Sequence, residues 1–272
     1  MPPPEALRQT GAVTEALMQD WQLVPDGEPY SELVRPVRTV DGRAAVLKVA
    51  PPHGWRAGSV AALKFWRAEG AVEVLRAKPA RGAVLLEPLQ PTWAGADEVA
   101  QLWARLHRPA PASLPRLADL LAAELAAMES VGRSLPLPPR LVEQALRTGR
   151  RLLEQDENPI SLHGNLRGEH VLLRGSEPVA IAPLGLAGNR HAEAAAFLAD
   201  AQGGTAQLQE AFWQIVDALV AAGVETDEQQ LRDWTVVLSV VRAARPGQPR
   251  EQVTRLIGLA KAVASLQVDL DL

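Results

Sequence analysis

Apolar and polar positions alternate with a period near two in the first third of the chain and near 3.6 in most of the remainder. Residues 31–39 alternate roughly in period two, and residues 44–49 (AAVLKV) form a second apolar run. Asp41-Gly42 between them is a hairpin turn signal. Residues 51–58 read as a loop, and 59–68 carry a helical pattern with Ala62, Leu63 and Trp66 on one side. Residues 72–75 and 83–86 add two strands around the turn-rich AKPARG, completing a small α+β lobe with one helix.

After Pro88 the period changes. Residues 97–108, 116–131 and 139–154 are amphipathic and rich in Ala and Leu, as helices of a packed bundle are, with Pro-rich joints between them. Residues 160–184 interrupt this with a loop and two short strands, 171–173 and 179–181, around a Gly175-Ser176 turn. Helices resume over 192–200, 206–222, 227–243 and 250–266. The pattern predicts a small mixed lobe over 1–88 and a larger, mostly helical lobe over 89–272.

Composition narrows the function classes. The 272 residues carry 28 Lys+Arg against 32 Asp+Glu, a net charge of −4, which argues against binding nucleic acid by phosphate neutralisation. Cysteine is absent, so disulfides, thiolate catalysis and Cys-ligated metals are excluded. The start, MPPPEALRQT, lacks the pattern of a signal peptide, and no window approaches a membrane span. The expectation is a soluble, cytoplasmic protein with neither a nucleic-acid nor a membrane partner.

Lys48 stands late in an apolar strand, and about 115 residues further on runs SLHGNLRGEHVLLRG (161–175), followed by VAIAPLGLAGNRHAEAAAFL (179–198). These segments resemble the aminoglycoside phosphotransferase family of kinase-like enzymes, and most closely its streptomycin and hydroxyurea resistance kinase branch. That branch carries HGDLHxxNVL and then AIDPKGxxGDPxYDxAxxL, and both align here without a gap. Stretches at 41–49, 61–75, 83–91 and 106–111 resemble the same family. The resemblance implies a bilobal protein-kinase-like α+β fold, with an antiparallel sheet and one helix in the N-lobe and a cleft between the lobes. It also implies a nucleotide site at Lys48, at Ser59 (the family's Glu position) and at Glu87.

Phosphoryl transfer needs a carboxylate for the attacking hydroxyl and hard oxygen ligands for magnesium. Here the chain departs from the pattern. The family's catalytic Asp corresponds to Asn165, beside His163. An amide orients a hydroxyl but has no basic site for its proton. The loop Asn that ligates metal corresponds to His170, and the metal-ligating Asp to Ala182, which has no side-chain oxygen. GDPxYD reads Gly188 to Glu193. The expectation is a pseudokinase that binds a small ligand or a protein partner and needs no cofactor. The alternative is an active antibiotic kinase using ATP and magnesium, with Glu169 or Glu193 replacing the lost ligands. A third reading is an interaction protein whose cleft is closed.

Other residues carry open readings. His170, Glu169, His191 and Glu193 form either a zinc site or a solvated rim. Arg167 and Arg190 either bind an anion or face solvent. Trp66, Trp103, Trp213 and Trp234 fall on apolar helical faces and read as core. Trp55 and Trp93 sit in loops, where they either line a cleft or lie partly buried. PYSEL at 29–33 is no phosphate-cradling glycine loop.

Overall fold

The computed structural model describes residues 4–50, 57–155 and 158–267. Its first element, α1 (Pro4–Asp20), is a helix that the sequence pattern does not announce. Five strands follow: β1 (Val24–Pro25), β2 (Val34–Arg38), β3 (Ala44–Val49), β4 (Val74–Lys78) and β5 (Ala83–Leu86), with α2 (Ala57–Trp66) between β3 and β4. They pair antiparallel in the order β1-β2-β3-β5-β4. The hairpin at Asp41-Gly42 is present: Gly42 takes φ +79° and its N–H donates to Thr39. Strand 72–75 is displaced, because residues 70–72 are claimed by another partner. The Val72 N–H donates to Ala180 O at 3.0 Å and the Ala180 N–H to Gly70 O at 2.9 Å.

The alternation along β3 separates two environments. Ala45, Leu47 and Val49 are buried against α1 and share a small core with Leu17, Trp21, Val37 and Leu85. Val46 and Lys48 face the other way. On that side Val84 and Leu86 join α2, through Val60, Leu63 and Trp66, in the large core that continues into the helical part. The core therefore crosses the sequence boundary at 88/89.

The helical part contains α3 (Ala96–Leu106), α4 (Leu117–Val131), α5 (Pro139–Glu154), α6 (Arg190–Leu198), α7 (Thr205–Ala221), α8 (Glu228–Ala244) and α9 (Arg250–Ala264). Proline opens α5, where its missing N–H costs nothing. Asn189 caps α6 and Asp227 caps α8, each accepting a backbone N–H at 2.9 Å. Strands β6 (Gln90–Pro91), β8 (Val171–Arg174) and β9 (Glu177–Ala180) form a three-stranded sheet. β7 (Ile160–Leu162) and β10 (Leu186–Gly188) pair antiparallel across the segment read from sequence as loop. Among the described residues no helix is long and apolar enough to cross a membrane.

Candidate functional site

Lys48 stands on the inner face of β3, opposite Val34 and Val84, and burial lowers its pKa from the usual lysine range. Its charge and that of Glu193 both act on His163, so the fold gathers these three groups. His163 follows β7 and is fully buried, with its ring stacked on Trp66 at a centroid separation of 6.3 Å. Trp66 is itself fixed by donating Nε1–H to Leu106 O at 2.9 Å.

The histidine tautomers follow from their partners. His163 Nε2 lies 2.9 Å from Ile181 O, a pure acceptor, so Nε2 carries the hydrogen. Nδ1 then accepts the Asn165 N–H at 3.3 Å. Burial holds the imidazole neutral by lowering its pKa from 6.5 to about 4. His170 donates Nδ1–H to Asn165 O at 2.6 Å. Both rings therefore brace the backbone of Asn165, one through its N–H and the other through its carbonyl.

Glu193 braces the same loop from α6. Its carboxylate is buried and accepts the N–H groups of His163, at 2.9 Å, and Gly164. It also accepts from His107 Nε2 at 3.2 Å. His107, at the end of α3, is a site residue that sequence reasoning did not single out, although its segment 106–111 carries part of the resemblance.

The segment 182–185 follows β9. Ala182 takes φ +57°, a left-handed conformation that Asn and Asp adopt more readily than Ala. The N-terminus of α2 lies directly on this segment. Ser59 donates Oγ–H to Pro183 O at 2.8 Å. Gly58 and Gly185 touch backbone to backbone, so that a Cβ on Gly58 would lie 1.7 Å from Gly185 O. The serine at the family's Glu position thus ties α2 to the loop beside Ala182.

Glu87 closes β5 and forms a two-pronged ion pair with Arg174 of β8, at 2.5 and 2.9 Å. It also accepts the Glu73 N–H at 2.8 Å. Its carboxylate links the two parts of the fold where the chain passes between them. Arg174 has no counterpart in the sequence reasoning, because the pair spans 87 positions.

The remaining candidates lie apart. Glu169 is exposed and pairs with Arg167 at 3.7 Å, while Arg167 also pairs with Asp200 at 3.1 Å. Arg190 pairs with Glu225 at 3.5 Å. His191 donates Nδ1–H to Asn189 and accepts the Asp227 N–H at 2.8 Å; burial lowers its pKa from 6.5 to about 4. Trp66, Trp103 and Trp234 are core, whereas Trp213 is half-buried, edge-on to Phe212. Trp93 is 78 % exposed beside Gly168, which overturns its reading as a partly buried loop residue. Trp55 lies outside the described residues.

Magnesium takes hard oxygen ligands in octahedral order. The positions implied for it present a methyl at Ala182 and, at His170, a ring whose Nδ1–H is given to the backbone. Glu193 is engaged behind the loop. Among the described residues no three His, Asp or Glu side chains gather to hold a metal ion, so no zinc group is present among them either. The residues present do not fit a magnesium–nucleotide site of the family's kind.

Comparison with known proteins agrees with this architecture. The model of the aminoglycoside/hydroxyurea antibiotic resistance kinase family matches residues 20–248. Streptomycin 6-kinase of Streptomyces glaucescens is 32% identical over 197 residues, covering 65% of this chain and 63% of that protein's length. Among solved structures, a choline/ethanolamine kinase family protein from Mesorhizobium loti superposes with a TM-score of 0.66 at 15% identity, over 96% of this chain and 94% of that one. Aminoglycoside phosphotransferase APH(4)-Ia superposes with a TM-score of 0.59 at 15% identity, over 93% and 98%. With its antiparallel N-terminal sheet, its helical C-terminal part and a family match running from α1 into the segment after α8, this chain belongs to the aminoglycoside/hydroxyurea antibiotic resistance kinase family.

Proposed function

We propose that this chain is a catalytically defective member of its family and acts by binding a small ligand or a protein partner. One observation carries the reading. The three positions at which a base and metal ligands are implied hold an amide at Asn165, a backbone-bonded ring at His170 and a methyl at Ala182. Loss of a general base costs about 10²–10⁴ in rate. Loss of the metal ligands removes the group that neutralises charge between the phosphates. These groups act as one unit, so their costs are not additive.

An active ATP-dependent antibiotic kinase requires a substitute carboxylate. Glu193 spends its oxygens on two backbone N–H groups and His107, and Glu169 is exposed against Arg167. Neither supports that alternative. The closed-cleft reading draws on a different observation, the seating of α2 on segment 182–185 through Ser59 and the Gly58–Gly185 contact.

The test is transfer from radiolabelled ATP, with magnesium, to streptomycin, the substrate named by the curated relative. No transfer above the protein-free control is expected. Transfer that disappears in Asn165→Ala would overturn the proposal.

A further inference from the structure

A cavity of about 570 Å³ lies between α4, α6 and α8 and reaches the loop at Gly164. That volume suits a small-molecule ligand. Its wall is mainly aliphatic, with Leu117 and Leu121 from α4, Leu186 from β10, and Leu238 and Val241 from α8. Four charged residues reach it: Glu124, Glu193, Arg242 and Arg245.

Charge accounting separates them. Glu124 Oε1 accepts from Arg245 at 2.9 and 3.0 Å, so this pair is mutually satisfied. Glu193 is taken by the loop N–H groups and His107. Arg242 donates to Ala196 O at 3.3 Å, and among the described residues no carboxylate lies within ion-pair distance of it. The charges acting on it are Arg245, Arg167 and Arg255 against one acid, Asp200. Asp200 is itself shared by Arg167, at 3.1 Å, and Arg255, at 3.9 Å. The cavity thus combines hydrocarbon walls with a guanidinium that has donors to spare and, among the described residues, no carboxylate in ion-pair contact.

We propose that this cavity binds an apolar carboxylic acid, with the carboxylate on Arg242 and the hydrocarbon among the aliphatic side chains. The proposal deepens, and rests on, the reading of the chain as a binding protein. It departs from a polycationic ligand, whose ammonium groups need free carboxylates. Both acids in this wall are already engaged, Arg245 is paired with Glu124, and the remaining charge, Arg242, opposes a cation. An anionic head meets the opposite field, and burying its tail removes apolar surface from water.

Isothermal titration with decanoate, decanol and decylammonium, each below its aggregation concentration, tests the proposal. Decanoate is expected to bind at least about tenfold more tightly than decanol, the margin of a charge-assisted hydrogen bond. Decylammonium is expected to bind more weakly than decanol. Arg242→Ala should bring decanoate down to the level of decanol. Ala127→Trp, at an exposed position of the cavity wall, should weaken both ligands and keeps the test decisive should the arginine variant fail to fold. Three results would overturn the proposal: equal binding of acid and amine, no binding by any of the three, or an acid preference that survives Arg242→Ala. Phosphate transfer to streptomycin would instead overturn the pseudokinase reading, so the two failures are told apart.

Discussion

The back and the front of the loop at 163–170 differ in how far they follow the family pattern. Behind it, Glu193 keeps a carboxylate where the pattern has one and receives two backbone N–H groups, while His163 keeps its place against Ile181 and Trp66. In front, Asn165 and Ala182 stand where the family pattern has two aspartates. The difference is physical. A buried N–H left without an acceptor costs about 1–3 kcal/mol, so the back of the loop is needed for folding. A carboxylate aimed at a substrate contributes to chemistry and little to stability, so the front can change while the fold stands.

The largest effect is expected where α2 meets segment 182–185. Gly185→Ala adds a Cβ 2.2 Å from Gly58 O, at a residue with φ +68°. Overpacking against backbone and the left-handed conformation together should cost about 3 kcal/mol or more. Urea denaturation measures it, and a near-neutral result would show that α2 does not sit on this segment.

Next comes the brace itself. Glu193→Ala leaves two buried N–H groups and His107 without their acceptor. A loss of about 3 kcal/mol is expected, with Glu193→Gln losing less because its amide oxygen still accepts. An equal loss in both variants would mean that a single accepting oxygen does not hold the loop and both carboxylate oxygens are required.

Acid should strike the same side. His163 and His191 both have pKa values lowered by burial from 6.5 to about 4, so the folded state binds fewer protons than the unfolded state between those pH values. Their neutral forms are fully compatible with folding above pH 6.5, and stability falls as pH drops from there towards 4. At pH 5 the loss is about 2 kcal/mol per histidine relative to pH 7.5. His191→Gln should flatten part of that slope, and an unchanged slope would remove His191 from the account.

The smallest effect belongs to the front. Ala182→Gly should stabilise by about 0.5–1 kcal/mol, because glycine takes φ +57° without the Cβ penalty. Ala182→Asn should be neutral or mildly stabilising for the related reason that Asn tolerates this region. Destabilisation by both would show that the methyl packs.

Local pattern made much of this fold legible. β3, β5 and α5 have the bounds that alternation and the Pro139 start predict, and the other helices after residue 88 differ by a residue or two at their ends. α1 was not legible, because Thr10, Gly11, Val13 and Thr14 interrupt its stronger helix formers, and it is held by Leu17, with Trp21 just after it, against the sheet. β7 and β10 are three residues each and exist by pairing with one another and by bridges to the distant segments at 108–109 and 115–116. In the site, the identities at 165, 170 and 182 could be read from motif alignment. The roles of Ser59 and Glu87 could not, since their partners Pro183 and Arg174 lie 124 and 87 positions away. Arg242 sits in a generic amphipathic helix, and only the folded chain brings it to a cavity with Gly164.

The most direct measurement is isothermal titration of ATP into the protein with and without magnesium, on wild type and on Lys48→Ala. Both proteins should show no magnesium-dependent binding, since among the described residues no hard ligand set stands in for the aspartate that the family pattern has at Ala182. Magnesium-dependent heat in the wild type that vanishes in Lys48→Ala would contradict the account and restore a working nucleotide site.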